Sequence, residues 1–102
     1  MNNFEGIIKT AIDNNAEILT IEYREGFEEI TAYSGSIGVT IATIKSNSKE
    51  SESLFKEIRK IKRNRRIRIG KYEVLLNISN YDNFGETAYE IRILRNQTDA
   101  VH

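Results

Sequence analysis

Lysine and arginine fill nine of the sixteen positions from Lys56 to Lys71, KEIRKIKRNRRIRIGK, in a chain of 102 residues whose formal net charge is zero. Cations at that density do one kind of chemistry: they bind oxyanions, and guanidinium groups do so best where the partner is a planar carboxylate or a phosphate. Seven of them, Lys56, Arg59, Lys60, Arg63, Arg65, Arg66 and Arg68, form the candidate partner-binding set. The charge along the chain is uneven, −5 over residues 1–44, +8 over 45–71 and −3 over 72–102. A basic segment between acidic ones suits a polyanion, an acidic protein surface, or a second copy of the same chain.

Other chemistries have less to work with. There is no Cys and the single His is His102, so neither a disulfide framework nor a transition-metal site is expected. Among the acids, Glu28 and Glu29 are the obvious pair, but neighbours on a strand point to opposite faces and cannot share a site. The serines sit in turns and a helix start with no histidine base near them. Asn80, Asp82, Asn83 and Glu86 surround Gly85 without the spacing or carboxylate density of a calcium loop. Gly35-Ser36-Ile37-Gly38 runs into a strand without the Lys of a phosphate-binding loop, and no G-x-x-x-x-G-K-[ST] occurs. The expectation is a non-enzyme with no catalytic residue, no metal and no cofactor.

The elements that must position the cations follow from periodicity. At 39% hydrophobic and 29% charged residues, the chain has the composition of one folded domain, read as residues 1–96 with 97–102 a flexible tail. Phe4, Ile7, Ile8, Ala11 and Ile12 recur at helical spacing over residues 3–14, with Asn2 and Glu5 placed for a capping box. Residues 18–23, 27–33 and 37–44 are β-branched or aromatic runs separated by Arg24-Glu25-Gly26 and Ser34-Gly35-Ser36, which predicts three strands with hairpin links. In the third, Ile37, Val39, Ile41 and Thr43 alternate with small residues and so share a face. Leu54, Phe55, Ile58 and Ile61 predict a second helix that starts in the Ser-rich stretch 46–52 and runs to about Lys62. Strands at 66–69, 72–79 and 87–95 follow, the last two linked by a loop, NYDNFGE (80–86). The fold class is α+β: two helix-strand-strand-strand units forming a mainly antiparallel sheet with helices on one face. The other face would carry Glu22, Glu28 and Thr31.

In IIKTAIDNNAEILTIEYREG (7–26), ITAYSGSI (30–37) and RIRIGKYEVLLNISNYDNFGETAYEIRIL (66–94), the chain resembles the domain that precedes the motor domain in ATPases of type II secretion and type IV pilus assembly. Ala16-Glu17-Ile18-Leu19-Thr20-Ile21-Glu22 matches the family's first strand, Ser34-Gly35 its turn, Leu76-Asn77-Ile78-Ser79 a later strand, and Phe84-Gly85-Glu86 with Arg92-Ile93-Leu94 its close. The resemblance implies a PAS-like sheet and a domain that docks on a neighbouring motor subunit. Arginines on the family's strands help complete the shared nucleotide site, whereas Ile30, Ala32 and Asn77 stand at the matching positions here. Ile and Ala offer no charge to a phosphate, and Asn only an amide. A stand-alone relative of the accessory domain, without the motor, is therefore expected.

Three readings of the basic run compete: a solvated face with no specific ligand, a protein contact and a nucleic-acid grip. On a helix that buries Phe55, Ile58 and Ile61, the cations Lys56, Arg59, Lys60 and Arg63 fall on the outer side, and Arg66 and Arg68 alternate with Ile67 and Ile69 onto one strand face. Such a surface can contact a protein, including a secretion or pilus ATPase or a second copy, and charge on an edge strand also prevents unwanted pairing. The alternative is a small nucleic-acid-binding protein, but single-strand sites add exposed aromatics, and only Tyr72 is near, with Tyr81 and Phe84 on the following loop. No apolar run approaches the ~20 residues of a membrane span and no signal peptide is read at Met1, so the expectation is a cytoplasmic protein with no membrane insertion.

Overall fold

The structure, a computed structural model, describes residues 3–61 and 63–95. The elements run α1 (Phe4–Asp13), β1 (Ile18–Arg24), β2 (Phe27–Ser34), β3 (Ile37–Lys45), α2 (Lys49–Lys60), β4 (Asn64–Ile69), β5 (Tyr72–Asn83) and β6 (Glu86–Arg95). The fold is α+β. All six strands join one antiparallel sheet in the order β3-β2-β1-β6-β5-β4. The sheet does not divide into two equivalent three-stranded units. From β1 at the centre the first half runs outward to the β3 edge, whereas the second starts at the opposite edge, β4, and runs inward to β6. The central seam pairs Leu19 with Ile91 and Ile21 with Tyr89, contacts far apart in the chain.

Both helices cover one face. Ile7, Ile8, Ala11 and Ile12 of α1 and Leu54 and Ile58 of α2 share a single buried cluster with Leu19, Ile21, Ile30, Ala32, Ile44, Val74, Leu76, Ile91 and Ile93. Period-2 alternation puts those strand residues on the helix side. The opposite face stays open and carries Thr20, Glu22, Glu29, Thr31, Glu90, Arg92, Asn77 and Ser79, all exposed or half-buried. Glu28 does not belong to it: its cross-strand partners are Tyr23 and Ile44, which place it on the helix side, where it is buried and Oε2 accepts from Ser46 Oγ at 2.6 Å.

Helix ends are set locally. Asn3, not Asn2, is the N-cap of α1, with Oδ1 accepting from the Gly6 N–H at 2.7 Å, and Asn2 lies outside the described residues. At the other end, Arg95 Nη2 donates at 2.9 Å to the Ile12 carbonyl, which also accepts from the Asn15 N–H, so a cation sits at the helix C-terminus and ties β6 to α1. Ser48 caps α2 and exchanges hydrogen bonds with Ser51, an arrangement in which Ser takes the place usually held by Glu or Gln. The helix ends at Lys60, two residues short of the expected stop, with Ile61 buried beyond it; Lys62 and the expected tail 97–102 lie outside the described residues.

Two strands depart from their expected form. Residues 80–83 are not loop but the far end of β5, and the turn is only Phe84-Gly85, with φ +54° and +87°. Two consecutive left-handed residues match the right-handed twist of the flanking strands, so a long ribbon can continue to its tip. In β3, the register with β2 shifts between Ile30 and Thr31, where Ala42 and Thr40 are the successive partners and Ile41 is extra. This bulge breaks the expected alternation: Ile37 and Val39 share the helix side with buried Ile44 while Thr43 is on the open face, and Ile37 and Val39 are exposed all the same. Gly38 stands opposite Tyr33, and a Cβ at Gly38 would lie 2.5 Å from the Tyr33 ring, so only glycine lets the ring lie across the edge strand.

Candidate functional site

The basic run is cut in two by the end of α2, and its cations go to different places. Arg65, Arg66, Ile67 and Arg68 of β4 line a groove of about 340 Å³ closed on the other side by Phe4 and Glu5 at the start of α1 and by Glu57 of α2. Lys60 joins this group through Glu57, with Nζ 3.4 Å from Oε1. On β4 the alternation places Arg66 and Arg68 on the open face, across from Leu75 and Glu73, whereas Arg65 faces the helix side across from Leu76. The Arg66 guanidinium lies 3.8 Å from the Glu73 carboxylate. Arg63 is exposed at the start of this edge, its carbonyl accepting from the Ile78 N–H at 2.9 Å.

Arg59 and Lys56 are separate from that groove. Arg59 follows Phe55 by one helical turn and lines a second cleft with Tyr23, Glu28, Glu86, Thr87 and Tyr89, beside the β5–β6 turn. Phe55 and Tyr89 form its aromatic wall, with ring centroids 5.6 Å apart. Lys56 is exposed on α2 and has no ion pair among the described residues. The seven predicted cations are thus all exposed, as an outer helix face and an edge strand require, but only the β4 arginines line one groove, with Lys60 on its margin. Glu5, Glu57 and Glu73 are members of that site that charge counting along the sequence passed over. The available signal was local: Glu57 precedes Lys60 by three residues, the spacing of a helical ion pair.

No family model matches this chain, and no curated protein matches it. What the site can do therefore follows from its own residues. It offers cations on both sides of one sheet edge, Arg65 on the helix side with Glu5, Glu57 and Lys60, and Arg66 and Arg68 on the open face with Glu73. Among the described residues no group of His, Asp or Glu is arranged to hold a metal ion, and no helix is long and apolar enough to cross a membrane.

Of the aromatics considered as stacking platforms, Tyr72 lies beside β4, half-buried opposite Ile69, whereas Tyr81 and Phe84 are placed elsewhere. β4 accompanies β5 only as far as Asn77; Tyr81 and Phe84 lie further along the ribbon, with Phe84 roughly 20 Å beyond that point at 3.3 Å per residue. Tyr81 is committed to an internal contact, its hydroxyl donating to Glu22 Oε2 across the open face. Burial of the phenol, then its hydrogen bond to the Glu22 carboxylate, push its pKa well above the usual tyrosine value. A raised pKa in an acid means that the folded state holds the proton more tightly. The stability this confers is full below pH ~10, the value in the unfolded chain, and is lost as pH climbs toward the folded pKa. An alkaline titration of tyrosinate absorbance should show an ionisation step above the usual tyrosine range, and Tyr81→Phe should remove that step.

Proposed function

We propose that this chain is a non-catalytic protein-interaction domain that engages an acidic partner surface along the β4 edge, with Arg65, Arg66 and Arg68 as the principal contacts and Lys60 and Arg63 flanking them. The supporting observation is the groove's mixed charge: Glu5 and Glu57 line it together with the three arginines. A phosphate backbone laid there would meet carboxylates along its path, whereas a protein surface can set its own bases against them and its acids against the arginines. The separation of Tyr81 and Phe84 from the arginines points the same way, because it leaves only the half-buried Tyr72, opposite Ile69, as a base-stacking platform beside them.

The sequence resemblance supplies the partner class. A relative of the accessory domain would dock on, or regulate, a secretion- or pilus-type ATPase. The test uses the purified full chain with a purified hexameric ATPase of that class, and with labelled single- and double-stranded DNA and RNA, each at 50 and 200 mM salt. Saturable binding to the ATPase, with no nucleic-acid binding at 200 mM salt, is the expected result. Nucleic-acid binding that falls several orders of magnitude between the two salt concentrations would replace this reading with a phosphate-tracking one.

A further inference from the structure

The two edges of the sheet are built in opposite ways. β4 is six residues long and carries Arg65, Arg66 and Arg68, the brevity and charge that keep an edge from pairing. β3, at the other edge, is nine residues long and has no charged side chain from Ile37 to Ile44. Ile37 and Val39 are 70% and 53% exposed, although both lie in register with residues of the helix side, Ser34 and Ala32. The helix layer leaves them uncovered, so apolar side chains stand beside a row of unpaired backbone donors and acceptors. The bulge at Ile41 is the one protective feature on this edge, and it leaves residues 37–40 regular.

We propose that β3 pairs antiparallel with β3 of a second copy, joining the two six-stranded sheets into one continuous sheet across a two-fold axis. Antiparallel self-pairing brings each residue against its own neighbours, so a strand can do it only where like charges do not meet. β3 satisfies that condition over residues 37–44 and β4 does not, since its arginines would face arginines. A register centred on Val39 sets Val39 opposite its own copy and Gly38 opposite Thr40, pairs that are uncharged and lie within the regular segment, and it extends the apolar layer of each copy with Ile37 and Val39 of the other. A neutral strand gives no charge by which to choose a foreign partner, and its own copy matches it side chain for side chain. The β4 edge stays free in such a dimer, so this inference stands or falls separately from the reading of the arginine groove.

Sedimentation equilibrium of the full chain from 1 to 500 µM should show a monomer of 11.8 kDa converting to a species of twice that mass. Val39→Lys places two cations across the axis and should weaken dimerisation at least tenfold, with the far-UV circular dichroism and melting temperature of the monomer unchanged because the position is exposed. The chain has no cysteine, so single-cysteine variants report without background: Val39→Cys should form disulfide-linked dimers under mild oxidation, and Arg66→Cys should not. A monomer throughout the concentration range, a dimer unaffected by Val39→Lys, open-ended assemblies in place of a dimer, or equal cross-linking at both positions would overturn the proposal.

Discussion

Leu19→Ala is expected to cost about 3–5 kcal/mol of folding stability, the range for emptying a fully buried leucine site that cannot collapse. Leu19 is fully buried on β1, at the seam where the two halves of the sheet meet, with Ala32 on one side and Ile91 on the other. Strands flank it on both sides and the helix layer covers it, so its neighbours have little freedom to close the cavity. A domain of this size is stable by only about 5–15 kcal/mol, so the loss is a large fraction of the total. The check is guanidinium denaturation of Leu19→Ala beside Leu94→Ala. Leu94 is 50% exposed on the open face of β6, and its truncation should cost only about 1 kcal/mol because half of its surface stays in water after folding. Both variants should keep the slope of the wild-type transition and differ only in its midpoint. An equal cost at the two positions would mean that the open face is covered in solution, and that the core is not confined to the helix side.

That contrast was legible from the alternation of residues in 18–23 and 87–95, and so were most of the features that depend on local patterning. Ile7, Ile8, Ala11 and Ile12 face the core as a helical stripe must, and Ile67 and Ile69 turn inward while Arg66 and Arg68 turn out. Glu28 could have been assigned to the buried side from the same logic, since it shares parity with Ile30 and Ala32. What escaped the sequence was of two physical kinds. One is backbone conformation that side chains do not signal: Phe84 adopts a left-handed φ that an aromatic residue rarely takes, and the Asn- and Asp-containing stretch before it reads as loop although the ribbon continues through it. The bulge at Ile41 is of the same kind, since one inserted residue leaves no mark on composition and inverts the face of everything before it. The other is non-local pairing. Nothing near Leu19 in the chain indicates that Ile91 will stand beside it, and so nothing showed that β1 and β6 would be central while β3 and β4 became edges. The candidate site suffered for that reason too: the run reads as a helix face followed by a strand face pooled into one partner-binding set, and nothing local shows that α2 carries Arg59 to a cleft with Tyr23 and Glu28 while the β4 edge forms another with Glu5 and Glu57.

The separation of those two groups makes the second large prediction a selective one. Reversing the β4 charges together, Arg65→Glu, Arg66→Glu and Arg68→Glu, should reduce affinity for the acidic partner by 100-fold or more, about 2.7 kcal/mol at 1.36 kcal/mol per decade. Three favourable contacts would become repulsive, and Glu5, Glu57 and Glu73 would add to an unbroken acidic surface. The fold should tolerate the change. All three side chains are exposed, and the one ion pair lost on the described surface, Arg66 to Glu73, is solvent-screened and worth less than about 1 kcal/mol. Arg59→Glu supplies the control: it removes a cation of the same run, yet one that lines the cleft beside the β5–β6 turn, and it should leave partner affinity within about threefold of wild type, or ~0.6 kcal/mol. Titration calorimetry of both variants against the partner, at matched salt, distinguishes a specific edge from a general cationic attraction. If the basic segment acted only through its total charge, each substitution would weaken binding in proportion to the charge removed, and Arg59→Glu would show about a third of the effect of the triple change. An affinity that depends on the β4 arginines and ignores Arg59 requires a partner docked along the edge of the sheet, where Glu5 and Glu57 determine which acidic surfaces fit.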